Sequence, residues 1–95
     1  MPGSPTAAQT ALFLRKLEQG PLKEFALLGL AEVLWEWRNL HPEISAEHDA
    51  FRVSFWTWVL TGSGEDWQRV VDAAGPLARK INKYGEELLP EPKEK

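Results

Sequence analysis

His41, Glu43, Glu47, His48 and Asp49 form a local cluster of potential metal-ligating or acid–base groups. A metal site or an acid–base pair would be built from such a group. Their spacing argues against both. The two His stand seven residues apart with Pro42 between them, whereas helical zinc sites place two His one turn apart on one face. Glu47 and Asp49 have a simpler use near the start of a helix, where carboxylates complement the helix dipole. Two-metal phosphate chemistry needs several converging carboxylates. Glu32 and Glu36 are four apart, and no second carboxylate pair lies on a helix. Arg38, Asn39 and His41 are too close together for an Arg–His catalytic pair, and Pro42 interrupts them. The chain has no Cys, and neither His has a Ser and an acid in a motif around it, so nucleophilic catalysis has no support. The expectation is no catalytic residue, no metal and no cofactor. If the protein is instead a small helical enzyme or metal-binding domain, the His41–Asp49 region is where its site lies.

Arg69, Arg79, Lys80 and Lys83 crowd the polar side of the last helix. A basic helix face can touch phosphates, which makes nucleic-acid binding a third reading. Cations near a helix C-terminus are stabilising in their own right, however. An acidic tail follows directly. The net charge of −3 and a pI of about 5.3 lack the basic imbalance of a nucleic-acid binder.

The aromatic residues carry the strongest signal. There are five Trp, four Phe and one Tyr, and four of the Trp form two Trp-x-Trp pairs, Trp35/Trp37 and Trp56/Trp58. Helical residues two apart point about 200° away from each other. Both members are covered only if the helix is central in a small bundle or a partner closes the second side. As large hydrophobic groups, most of the aromatics belong to the core. Trp and Tyr are also enriched at binding hot spots. A monomer of four helices least easily covers Leu28 with Trp35, and Trp56 with Val53 and Leu60. Leu28, Trp35, Val53, Trp56 and Leu60 are therefore the candidate protein-interaction residues. The expected function is a non-enzymatic interaction module acting as a homodimer or on a protein partner.

The elements that must position these residues read as an all-α fold, a small four-helix bundle. Thr6 and Gln9 fit a capping box at the start of the first helix, with Ser4-Pro5 a second possible start. Ala7, Ala11, Phe13, Leu14 and Leu17 form its apolar face, and Leu12 lies off it. Gly20-Pro21 ends it, with Gly20 suited to a left-handed cap. Pro21 is a good first residue for a second helix running to about Leu40. Its broad face holds Leu22, Ala26, Gly29, Leu30, Val33, Trp37 and Leu40, extended by Leu27 and Leu34. A helix apolar over so much of its circumference is expected to be central, and Gly29 permits a close crossing. Pro42 ends it at His41, and Ser45 is the expected N-cap of a third helix reaching about Leu60. In that helix Phe51, Phe55, Trp58 and Val59 share one face, and Val53, Trp56 and Leu60 another. The stretch 51–60 is also rich in strand formers. A strand there has no partner strand in the chain and would have to pair with its own copy. Ser63 and Asp66 begin a fourth helix whose face runs through Trp67, Val70, Val71, Ala74, Leu77, Ala78, Ile81 and Tyr84. That face stays in phase across Gly75-Pro76, which reads as one helix kinked there. Gly85 marks its end.

Ninety-five residues make one domain, spanning 1–95, with 1–5 a leader and 86–95 a charged, flexible tail in which Leu88 and Leu89 are able to pack back. No segment approaches the ~20 apolar residues of a membrane span, and the N-terminus lacks the basic start and apolar run of a signal peptide. A cytoplasmic protein without a membrane partner is the expectation.

Overall fold

Thr6 opens the first helix by the expected reciprocal cap. Its hydroxyl accepts from Gln9 N–H at 3.0 Å, and its own N–H donates to the Gln9 side chain at 2.9 Å. The computed structural model describes residues 5–20 and 24–90, apart from the side chains at 24 and 25. Helix α1 spans Ala7–Arg15, and a 3-10 turn, Lys16–Gln19, tightens its end. Gly20 does not take the left-handed cap. It sits at φ 126°, ψ 170°, a region essentially closed to other residues. Pro21 and Leu22, the expected start of the second helix, lie outside the described residues. Helix α2 is described over Glu24–Leu40, and a 3-10 turn, Pro42–Ile44, leads into α3, Ser45–Thr61. Helix α4 runs over Gly64–Asn82 without interruption at Pro76.

The fold is all-α. Helix accounts for 83% of the described residues, none of which lies in a strand. The stretch 51–60 is helical, and Phe51 and Phe55, one turn apart, are both buried. Its β-branched residues yield because the core is reached by a 3.6-residue period. Gly62 closes α3 at φ 67°, where its N–H donates to Trp58 O at 2.7 Å. Ser45 is not the N-cap. It is already helical, because the chain arrives wound from the preceding 3-10 turn, and Ile44 holds the cap position without a side-chain bond. Ser63 does cap α4, accepting from Asp66 N–H at 3.1 Å.

The central element is α4 rather than α2. Helix α4 packs along its length between α1 and α3, whereas α2 approaches its neighbours at fewer points. The buried stripe of α4 is Trp67, Val70, Ala74, Leu77, Ala78 and Ile81, repeating at three and four residues. From α1 come Ala7, Ala11, Leu14 and Leu17, while Leu12 is exposed. Helix α2 contributes Leu27, Leu30, Leu34 and Trp37. Its stripe is centred on the Leu27/Leu34 side, so Gly29 and Leu40 face solvent. No helix crosses closely at Gly29, where an added Cβ would meet nothing within 4 Å. Trp37 is fully buried, and its indole N–H donates to Thr10 Oγ1 at 3.1 Å across to α1.

Part of the acidic tail is held against the body. Ala7 N–H donates to Glu87 O at 3.0 Å, Thr6 and Leu88 form an isolated bridge, and Leu89 is buried. Leu89 thus packs back from the charged tail, as its position allows, and residues 91–95 lie outside the described set.

Candidate functional site

The register of α2 divides its Trp pair cleanly. Trp37 points inward and is 0% exposed, while Trp35 is 44% exposed. The pair on α3 divides the same way. Trp58 is half-buried against Trp67, with ring centroids 4.7 Å apart, and Trp56 is 46% exposed. With the core satisfied by one member of each pair, the other two stand on a shared flank of α2 and α3.

Between them runs a groove of about 480 Å³. Leu34, Phe51 and Phe55 form its buried floor, with Leu28 and Trp35 lining it from α2 and Trp56 from α3. A second hollow of about 400 Å³ continues it past Leu28 and Trp56 toward Val59 and Gly62. The structure thus brings Leu28, Trp35 and Trp56 together on one groove. Val53 and Leu60 lie outside it, on the outer face of α3 beside Trp56. All five expected interaction residues are exposed, from 44% at Trp35 to 85% at Leu60.

The polar setting of Trp35 is specific. Arg38 and Arg52 place their guanidinium carbons 5.2 and 5.7 Å from its ring centroid. Arg38 is itself oriented by Asp49, donating from Nε at 3.1 Å and from Nη2 at 3.4 Å to the two carboxylate oxygens. His48, almost wholly buried at 3% exposed, packs its ring 5.7 Å from Trp35 and donates from Nδ1 to Asp49 Oδ1 at 3.0 Å. The hydrogen bonds from His48 and then Arg38 hold the Asp49 carboxyl below the usual carboxylate range. An ionised acceptor places the His48 proton on Nδ1. His48, Arg38 and Arg52 escape a reading of apolar faces, because polar residues on a helix register as solvent positions. The only signal for His48 was its place one turn before Arg52 and beside Asp49.

The five residues of the His41–Asp49 region do not assemble into one site. His48 and Asp49 serve Trp35, and Glu47 pairs with Lys80 at 3.2 Å. His41 turns the other way. Its Nε2 lies 2.6 Å from Glu87, its Nδ1 3.5 Å from Glu43, and its ring stacks on Tyr84 at 3.8 Å. Tyr84 donates from its hydroxyl to Glu43 Oε2 at 2.6 Å. Burial and this bond raise the Tyr84 hydroxyl pKa above its ordinary value, and the same bond is the main cause lowering that of Glu43. Nε2 of His41 is thus held by the Glu87 carboxylate, and the Glu43 carboxylate lies within ion-pair distance of Nδ1. Among the described residues no three His, Asp or Glu side chains are grouped to hold a metal ion.

Of the basic residues on α4, Lys80 is engaged by Glu47 and donates to Glu43 O, and Arg69 pairs with Asp66 at 3.4 Å. Arg79 and Lys83 remain exposed. No helix among the described residues is long and apolar enough to cross a membrane. Comparison of the chain with protein-family models, with curated proteins and with solved structures finds no match.

Proposed function

We propose that the protein is a non-enzymatic interaction module whose binding surface is the α2/α3 flank around Trp35 and Trp56. The observation that carries this reading is the division of the two Trp pairs. One Trp of each pair completes the core, and the other stands nearly half-exposed beside the same apolar groove. Burying an indole contributes more than burying any other side chain, at roughly 200–250 Å² apiece. Two such residues left on one face mark the centre of a contact surface rather than a gap in packing. The arginines over Trp35 suit that role, because a stacked guanidinium orients the ring and keeps the groove open.

The titratable groups support a structural use of the remaining polar residues. His41 joins the end of α2 to the tail through Glu87. The module would act by helix-face contact on another protein chain.

Affinity capture and sedimentation of wild type beside the double variant Trp35→Gln/Trp56→Gln test this reading. The variant keeps a helical circular-dichroism spectrum and loses whatever association the wild type shows. Association retained in full by a folded double variant would overturn the proposed surface.

A further inference from the structure

We infer that the groove is filled by a second copy of this chain, docked about a two-fold axis so that each copy's α3 ridge enters the other's α2/α3 groove. This rests on the interaction reading above and adds the identity of the partner. Both halves of the fit lie side by side on one face. Val53, Trp56 and Leu60 recur at three and four residues along α3 and are 66%, 46% and 85% exposed. Such a row forms a ridge that packs between the side chains of another helix. The groove beside it has an apolar floor of Leu34, Phe51 and Phe55, with Glu32 and Arg52 at its rim. A patch holding a ridge and an adjoining groove can fill both at once in an isologous contact, where each surface meets its own copy.

Charge follows the same two-fold logic. Glu32, on the α2 rim of the groove, and Glu36, one turn further along α2, are exposed, and neither joins an ion pair among the described residues. Arg52, next to Val53 on the ridge side, is exposed and has the Trp35 ring but no carboxylate partner among them. An isologous contact carries the Arg52 side of one copy toward the Glu32/Glu36 side of the other, twice. Unpaired charges of opposite sign on the α2 and α3 rims of one groove suit self-recognition.

The area agrees. Taking roughly 200–250 Å² for an indole and roughly 100 Å² for a Leu or Val side chain, Leu28, Trp35, Val53, Trp56, Val59 and Leu60 leave on the order of 450 Å² uncovered at their observed exposures. One side of a standard interface covers about 800 Å², rather more than half of it apolar. The exposed patch supplies that apolar share.

Sedimentation equilibrium from about 1 μM to about 1 mM, the range of weak specific contacts, gives the test. Wild type is expected to be a dimer at the upper end. Arg52→Glu alone and Glu32→Arg/Glu36→Arg alone should each weaken self-association by roughly tenfold or more, because like charges then face each other twice. An equimolar mixture of the two variants should recover a one-to-one dimer, since every contact is again between opposite charges. Leu60→Glu alters the most exposed of these side chains, which the monomer core does not use, and should also abolish the dimer. Circular dichroism establishes that each variant is folded. Wild type that stays monomeric at about 1 mM, a mixture that does not recover the dimer, or an undiminished Leu60→Glu dimer overturns self-docking. If the wild type is monomeric yet captures another protein that Trp35→Gln/Trp56→Gln does not, the interaction surface stands and only its occupant is wrong. If the wild type dimerises and the folded Trp double variant dimerises equally, both readings fall.

Discussion

Trp37 joins α2 to α1 through a buried indole that touches both, with its N–H satisfied by Thr10. Removing it leaves a large cavity and breaks one bond to the Thr10 hydroxyl, which still donates to Thr6 O, so Trp37→Ala should cost about 3–5 kcal/mol, comparable to the stability of a small domain. Trp35→Gln, two residues earlier, should change stability by about 1 kcal/mol or less, as exposed substitutions do. Urea titration of the two variants reads the contrast directly. The carboxylates add a pH dependence. Hydrogen bonds from Thr61 and Ser63 lower the pKa of Asp66, those from His48 and Arg38 that of Asp49, and that from Tyr84 that of Glu43. A group with a depressed folded pKa is protonated first in the unfolded chain. Its contribution is complete above the unfolded value and is lost as pH falls through the folded one. Thermal midpoints should therefore hold level above about pH 5 and decline below about pH 4. Asp66→Asn should lower the plateau and flatten the acid decline. An equally steep decline in that variant would mean Asp66 contributes nothing to the pH dependence.

At the level of elements, caps and turns do more than propensity. The α3–α4 corner is closed by the left-handed Gly62, the Ser63 cap and the Asp66 carboxylate, which accepts from both Thr61 and Ser63. Ser63→Ala removes the cap and should cost about 1–2 kcal/mol. Its effect belongs to the whole domain and not to α4 alone, because α4 packs between α1 and α3. Denaturant melts followed by far-ultraviolet circular dichroism and by tryptophan fluorescence should shift together. Separate transitions would show that α4 frays independently. The capping box at Thr6 and Gln9 is legible from four letters of sequence, since it depends only on local geometry. The entry to α3 is not, because Ser45 fits a cap equally well on paper and the preceding 3-10 turn occupies that place.

At the level of the whole molecule, the segment after Gly85 acts as a strap. Leu89 is buried, Glu87 O accepts from Ala7 N–H, and the Glu87 carboxylate meets His41. Truncation after Gly85 removes one buried Leu, two backbone hydrogen bonds and the Glu87–His41 pair, and should cost about 2–4 kcal/mol. Glu87→Gln keeps the backbone contact and Leu89, so it should cost less than the truncation. Chemical denaturation of the two separates the strap's packing from its charge. A truncated chain as stable as the full one would show that the strap does not contribute to folding.

The four helices, the caps at Thr6 and Ser63 and the apolar face of α4 could be read from residue spacing alone, because each depends on contacts within a few residues. The sequence also singled out the two Trp-x-Trp pairs, since no α-helix can turn residues two apart to the same side. Which Trp of each pair went inward was decided by tertiary packing. Helix α2 is apolar over most of its circumference, a pattern equally compatible with a central helix and with a peripheral one that carries an exposed flank. Helix α4 took the centre because its small residues Ala74 and Ala78 share the buried face with Val70, Leu77 and Ile81 and let α1 and α3 approach closely. That choice left the Trp35 side of α2 uncovered. The setting of the exposed indole, with Arg38, Arg52 and His48 around it, joins residues from two helices and exists only once they have packed.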